Sequence, residues 1–161
     1  MRRVLSVLME NEPGALSRVA GLFSGRGFNI ESLNVAPTLD PGVSHMTITT
    51  HGDVQIVEQI TKQLRKLISV IKVVDFEDKS RVEREMVFYK VNAEEANRSE
   101  ILRIVDIFRC KIVDVSSDEF IIEASGNHDK IEAITNLLAR FGIKEMARTG
   151  TMVMLRSMQL D

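Results

Sequence analysis

Residues 10–16, Glu-Asn-Glu-Pro-Gly-Ala-Leu, are the part of this sequence best equipped to hold a small charged molecule. Asn11, Pro13 and Gly14 stand directly ahead of Leu16, Val19, Ala20 and Phe23, an apolar series at helical spacing, so a helix begins here. The first N–H groups of a helix have no partner within it. Those of Gly14, Ala15 and Leu16, with the positive end of the helix dipole behind them, suit a carboxylate. Pro13 gives up no N–H and presets φ for the first turn. Gly14 has no Cβ, so a ligand can approach the backbone. Asn11 offers donors and an acceptor, enough for an ammonium group. The set fits a zwitterion, with its carboxylate on the helix end and its amine on Asn11. A plain capped helix start would use the same residues, and spacing alone does not separate the two readings.

Other chemistry is not indicated. His45, His51 and His128 are scattered without metal-ligand spacing, and no cysteine stands near them in sequence to complete a set. Cys110 follows Arg109, which could lower a thiol pKa, but an inert cysteine is the expectation. There is no glycine-rich phosphate loop; Ser24-Gly25-Arg26-Gly27 is short and lies at a helix end, where carbonyls point. Carboxylates are plentiful but none converge by spacing. No catalytic and no metal-binding residues are therefore expected.

The elements that must position residues 10–16 read as follows. Residues 3–10 form an apolar strand, 14–27 a helix closed by Gly27, and 29–37 a strand of imperfect alternation. Asp40-Pro41-Gly42-Val43 suits a type II turn. Residues 44–52 alternate as a strand, 53–67 form a helix behind an Asp53 cap, and 70–76 form another strand. The order β-α-β-β-α-β is the ferredoxin-like unit. Residues 77–83 are charged, lack an apolar period and read as a linker. The order then repeats: strand 85–93, helix 99–110, strands 111–115 and 119–125, helix 128–142 and strand 143–150, ahead of a Met-rich tail. The predicted fold class is α+β, with two tandem ferredoxin-like domains at 1–76 and 84–161. Each has about 75 residues, a size at which burial alone is marginal, and its sheet keeps exposed edges. A homodimer is expected on both grounds.

Composition sets the outer limits. The chain has 161 residues, 44% hydrophobic and 27% charged, which supports a normal core. Lys plus Arg is 21 against 23 for Asp plus Glu, without the basic excess of a duplex nucleic-acid binder. Aromatics are 5% and there is no Trp, so a base-stacking platform is not expected either. The single cysteine allows no internal disulfide. The first apolar run ends at Glu10, too early for a signal peptide, and no stretch is long enough to span a membrane. The expectation is a cytoplasmic protein.

The stretch 5–38, with Asn-x-Pro-Gly-x-Leu followed by Phe-x-x-Arg-Gly-Phe-Asn-Ile-x-Ser-Leu at 23–33, resembles an ACT domain, the amino-acid-sensing ferredoxin-like module. More closely, it resembles the small regulatory subunits of acetohydroxyacid synthase, also called acetolactate synthase. The resemblance continues through 107–116, 123–133 and 137–150 and covers nearly the whole chain. It departs at Ser157, where the family usually has Gly, and at Cys110, where Ala or Gly is common. It implies a non-catalytic subunit without a cofactor of its own. The family's catalytic large subunit carries thiamine diphosphate, Mg and FAD, and the small subunit raises its activity and confers inhibition by valine. The implied effector residues are Asn11, Gly14, Ala15 and Leu16 of one chain, with Asn29 and Ile30 from the other chain of a dimer. Ile30 is an apolar wall suited to an isopropyl group, or plain core packing. A free-standing sensor acting on another enzyme or a transcription factor is the alternative, and a small ferredoxin-like enzyme a third reading that the missing catalytic set disfavours.

Overall fold

The computed structural model describes residues 1–157. Two compact units divide the chain: Met1–Val82 together with the chain from Gly150 onward, and Glu83–Thr149. The first contains β1 (Arg2–Glu10), α1 (Ala15–Gly25), β2 (Ile30–Pro37), β3 (Val43–His51), α2 (Val54–Arg65) and β4 (Val70–Asp75). Its strands pair antiparallel in the order β2-β3-β1-β4, the ferredoxin-like arrangement predicted. Two periods meet in its core. Leu5, Val7 and Met9 alternate along β1, Met46 and Ile48 along β3, and against them pack Val19 and Phe23 of α1 and Val57, Ile60 and Leu64 of α2. The Asp53 side chain accepts from the Ile56 N–H at 2.9 Å, the cap expected. Gly27 takes φ +70°, a left-handed position that favours glycine at a helix end.

The second unit repeats the order with β5 (Arg81–Asn92), α3 (Arg98–Ile107), β6 (Lys111–Val115), β7 (Glu119–Gly126), α4 (His128–Ala139) and β8 (Ile143–Arg148). Its sheet runs β6-β7-β5-β8. Val87, Tyr89 and Val91 of β5, Phe120 and Ile122 of β7, and Ile101, Ile131, Ile134 and Leu138 of the helices form its core. The buried Tyr89 hydroxyl is paired with Thr135 Oγ1 at 2.7 Å, and the buried Glu85 accepts from Arg148 at 2.5 Å. Asn127 caps α4 through the Lys130 N–H at 2.9 Å. No helix among the described residues is long and apolar enough to cross a membrane.

Three local expectations need correction. The linker expected at 77–83 is strand from Arg81 onward. Its partner lies far along the chain: Arg156 Nε donates to the Arg81 carbonyl at 3.1 Å and the Arg156 N–H to the Ser80 carbonyl at 3.1 Å. The tail expected within an 84–161 domain instead joins the first unit, where β9 (Met152–Leu155) lies. Val153 closes a small apolar cluster with Val4 and Phe76, and Thr151 Oγ1 accepts from Arg2 Nη2 at 3.0 Å. Residues 158–161 lie outside the described residues. The turn at Asp40–Val43 is closed by a bond from the Val43 N–H to the Asp40 carbonyl at 3.0 Å. Yet Gly42 is absent from the residues with positive φ, which a type II turn requires there. Asp40 Oδ1 accepts from the Gly42 N–H at 2.9 Å, which holds the turn in the other conformation.

Candidate effector site

Strand β1 ends at Glu10, and the chain crosses to α1 through Asn11–Gly14. The helix begins one residue later than the periodicity suggests, at Ala15. Pro13 therefore sits in the turn before the helix rather than in its first turn, and Gly14 occupies the cap position at φ +85°. A Cβ on Gly14 would meet nothing nearer than Arg18 Nη2 at 3.8 Å. The glycine is demanded by its left-handed backbone, not by crowding. Ala15 N–H is partly spent on the Glu12 carbonyl at 3.3 Å. The N–H groups of Gly14 and Leu16 take no acceptor among the described residues.

Leu16 departs from its periodic role. Ala15, Val19 and Phe23 form the buried stripe of α1, while Leu16 is 42% exposed. It borders a cleft of about 220 Å³ at this end of the sheet. Met9, Leu16, Val35 and Pro37 give the cleft apolar walls, and Glu10, Asn11, Glu12 and Ser44 give it polar ones. An apolar lining with a few polar groups on one side is what a small amphiphilic ligand needs. Val35, Ala36, Pro37 and Ser44 were not singled out by sequence. Their signal is a break in alternation, three apolar residues in succession at the end of β2.

Two hydrogen-bond sets fix the rim. Asn11 donates from its backbone N–H to the Gly42 carbonyl and from Nδ2 to the Pro41 carbonyl, both at 2.9 Å. One of the two amide hydrogens is thereby used, and Oδ1 is the acceptor that suits an ammonium group. Glu12 accepts from Ser69 Oγ at 2.8 Å and from Arg18 Nη1 at 3.2 Å. The Ser69 hydroxyl first, and the Arg18 guanidinium second, hold the Glu12 carboxyl below the ordinary carboxylate value. Arg18 also offsets its charge, so the helix end keeps its attraction for a carboxylate.

The predicted site residues divide into two groups. Asn11, Ala15 and Leu16 line the cleft, and Gly14 shapes its approach without lining it. Asn29 and Ile30 stand at the opposite end of β2, paired toward Thr50 at the far end of β3. From Ile30 to Pro37 the strand spans about 23 Å at ~3.3 Å per residue, so this chain does not bring them to its own cleft. Asn29 is exposed, while its carbonyl accepts from Thr50 Oγ1 at 2.7 Å; Ile30 is half-buried against the core.

The corresponding junction of the second unit is bridged by Arg98. There Arg98 Nε donates to the Ala93 carbonyl at 2.9 Å and Nη2 to the Ser116 carbonyl at 2.9 Å. Its guanidinium lies 5.0 Å over the Phe120 ring. Like the Asn11–Pro41 bond, these contacts tie the first strand–helix loop to the turn between the next two strands. The long side chain spans the gap that Asn11 leaves open. Cys110 is half-buried, and burial pushes its thiol up despite Lys130 nearby, against activation by Arg109. No group of three or more metal-ligating side chains converges among the described residues.

Comparison with known proteins agrees with this fold. Residues 5–72 match the family described as the AHAS small subunit-like ACT domain, and residues 84–157 that of the small subunit of acetolactate synthase. A probable acetolactate synthase small subunit of Archaeoglobus fulgidus is 51% identical over 97% of this chain and 98% of its own length. The acetolactate synthase small subunit of Haemophilus influenzae is 54% identical over 93% of each chain. The crystal structure of the small subunit from Thermotoga maritima superposes with a TM-score of 0.88, at 42% identity and 99% coverage of both chains.

Proposed function

We propose, from the premise that this chain belongs to the acetolactate synthase small-subunit family, that it is the non-catalytic regulatory subunit of a thiamine-diphosphate-dependent acetolactate synthase. It binds the catalytic large subunit in the cytoplasm, raises its activity and makes it sensitive to valine. The cofactors, thiamine diphosphate, Mg and FAD, belong to the large subunit. The observation that carries the effector assignment is the cleft at the start of α1, with Asn11, Ala15 and Leu16 in its lining.

In this reading the ligand carboxylate meets the free N–H groups at Gly14 and Leu16, its ammonium meets Asn11 Oδ1, and its isopropyl group lies against the apolar walls. Asn29 and Ile30 of a second copy complete the site, because strand length keeps a chain's own pair away. Ligand binding and dimerisation are then linked. Burying the valine side chain contributes roughly 1.5–3 kcal/mol and the helix end about 1–2 kcal/mol. With about 1.5–3 kcal/mol from the Asn11–ammonium hydrogen bond, the gross sum is about 4–8 kcal/mol, so after association costs the binding is weak, in the millimolar range rather than the micromolar. A coupling of about 1–3 kcal/mol between ligand and the activating state suffices for inhibition.

The test is reconstitution. The full chain is titrated into purified catalytic subunit, with acetolactate formation measured with and without valine. Stimulation that valine reverses supports the reading. No stimulation and no co-purification would remove it.

A further inference from the structure

A carboxylate beside the amino end of a helix is stabilised by the helix dipole and by the unpaired N–H groups there. The chain supplies its own candidate for α1: Glu12, two residues ahead of Gly14. Yet the N–H groups of Gly14 and Leu16 take no acceptor among the described residues. The Glu12 side chain is bonded elsewhere, to Ser69 Oγ at 2.8 Å and Arg18 Nη1 at 3.2 Å. The nearest carboxylate forgoes the helix end because these two partners hold it.

The holding set is closed on itself. Arg18 Nη1 donates to Ser69 Oγ at 2.8 Å as well as to Glu12. The hydroxyl therefore accepts from the guanidinium and gives its own hydrogen to the carboxylate. Ser69 is 3% exposed, and its carbonyl accepts from the Glu10 N–H at 2.8 Å, so the hydroxyl stands on a fixed backbone. The three side chains come from the β1–α1 turn, from α1 and from the residue before β4. The same bonds keep Glu12 ionised, with Ser69 the larger cause and Arg18 the second. An ionised Glu12 competes for the helix end when loose and leaves it open when held.

We propose that Ser69 and Arg18 are positioning residues for the effector: they hold the Glu12 carboxylate off the amino end of α1 and so keep the Gly14 and Leu16 N–H groups open for the carboxylate of a small zwitterion. The inference rests on the effector reading of the cleft. Neither residue lines the cleft, and neither needs to touch the ligand. Released from them, Glu12 is drawn to the same N–H groups. It is then a tethered rival of the ligand, with a high effective concentration because it is two residues away. Charge points the same way. The ligand brings a carboxylate to a cleft already walled by Glu10 and Glu12, and Arg18 offsets one of the two.

The experiment uses the full chain reconstituted with the catalytic subunit and reads the valine concentration for half-maximal inhibition. Ser69→Ala frees Glu12 and should raise that midpoint about fivefold, the competition expected of a carboxylate at a helix end. Arg18→Met should raise it at least as much, because it also removes the offsetting charge. Glu12→Gln should lower it, since the rival is gone and Arg18 remains. The double variant Ser69→Ala/Glu12→Gln decides the matter, with a midpoint at or below that of wild type. Bonds that serve only to brace the fold give the opposite pattern. Ser69→Ala and Glu12→Gln then break the same contact, both raise the midpoint, and the double variant is no better than Ser69→Ala. That pattern overturns the proposal, as does a Ser69→Ala midpoint equal to wild type. If Ser69→Ala loses its native far-UV circular dichroism, the exposed Arg18 carries the same test: Arg18→Met/Glu12→Gln should fall below Arg18→Met, and equality of the two overturns the proposal. A wild-type complex that valine does not inhibit removes the effector reading itself, and this inference with it.

Discussion

Asn11→Ala is the sharpest probe of the effector assignment, because the proposed site gives the Asn11 amide two jobs. Nδ2 donates to the Pro41 carbonyl at 2.9 Å, and Oδ1 is assigned to the ligand ammonium. A hydrogen bond to a charged group contributes about 1.5–3 kcal/mol, so losing the acceptor should weaken valine binding about 10- to 100-fold. Losing the exposed Pro41 bond costs the fold only about 0.5–1.5 kcal/mol. Asn11→Asp separates the two jobs. It keeps an oxygen for the ammonium and removes the donor to Pro41. Calorimetry on the isolated chain, paired with valine inhibition of the reconstituted enzyme, should rank affinity as wild type, then Asp, then Ala, with stimulation retained in both variants. Equal affinities for the Ala and Asp variants would refute the acceptor role and leave Asn11 as a tether for the 38–42 turn. Undiminished valine sensitivity in Asn11→Ala would remove Asn11 from the site.

Further outcomes follow from the same geometry. Gly14→Asp should abolish valine inhibition, since it places a carboxylate beside the expected ligand carboxylate. It strains a position at φ +85° by about 1–2 kcal/mol, so far-UV circular dichroism should remain native while the unfolding midpoint falls. Glu12→Gln should reduce stability near neutral pH. The Glu12 pKa lies below 4.5 in the fold, so its contribution is present above that value and lost as pH falls through the folded pKa. Urea unfolding of wild type and variant should therefore converge as pH falls through the lowered folded-state pKa, and a gap that persists in strong acid would contradict the ion-pair account. Val153→Ala should destabilise the first unit by about 1–2.5 kcal/mol, because Val153 is 2% exposed against Val4 and Phe76. An unchanged unfolding curve would mean that β9 does not seal that unit.

Local signals in the sequence were reliable where the partner was local. The Asp53 cap, the Gly27 helix end, the helical faces of α2 and α4, and the repeated strand order all depend on residues within a few positions of one another. The start of β5 was hidden because Ser80 and Arg81 owe their pairing to Arg156, 75 residues later. The return of β9 to the first unit was hidden for the same reason. Leu16 fits the apolar period of α1, and periodicity cannot tell a core residue from one turned toward a cleft. Gly14 was read as making room for a ligand, whereas its backbone angle is the primary demand. The pattern 10–16 pointed to the cleft, but Val35, Ala36, Pro37 and Ser44 enter its lining through the register of β2 and β3, which a linear reading does not supply.

The return of β9 also has a consequence for how the protein is made. Arg2 and Thr151, bonded to each other, are 149 positions apart. Contacts of such separation form late, because a long loop must close first. On the ribosome, the six elements through β4 emerge early, but Val4 and Phe76 stay uncovered until Val153 arrives. The second unit, by contrast, is continuous in sequence and can fold as soon as β8 emerges. The first unit is therefore finished only after the whole second unit has been synthesised. A chain broken off before Val153 holds an unsealed apolar patch at Val4 and Phe76, and every chain with a sealed first unit has already completed the segment between.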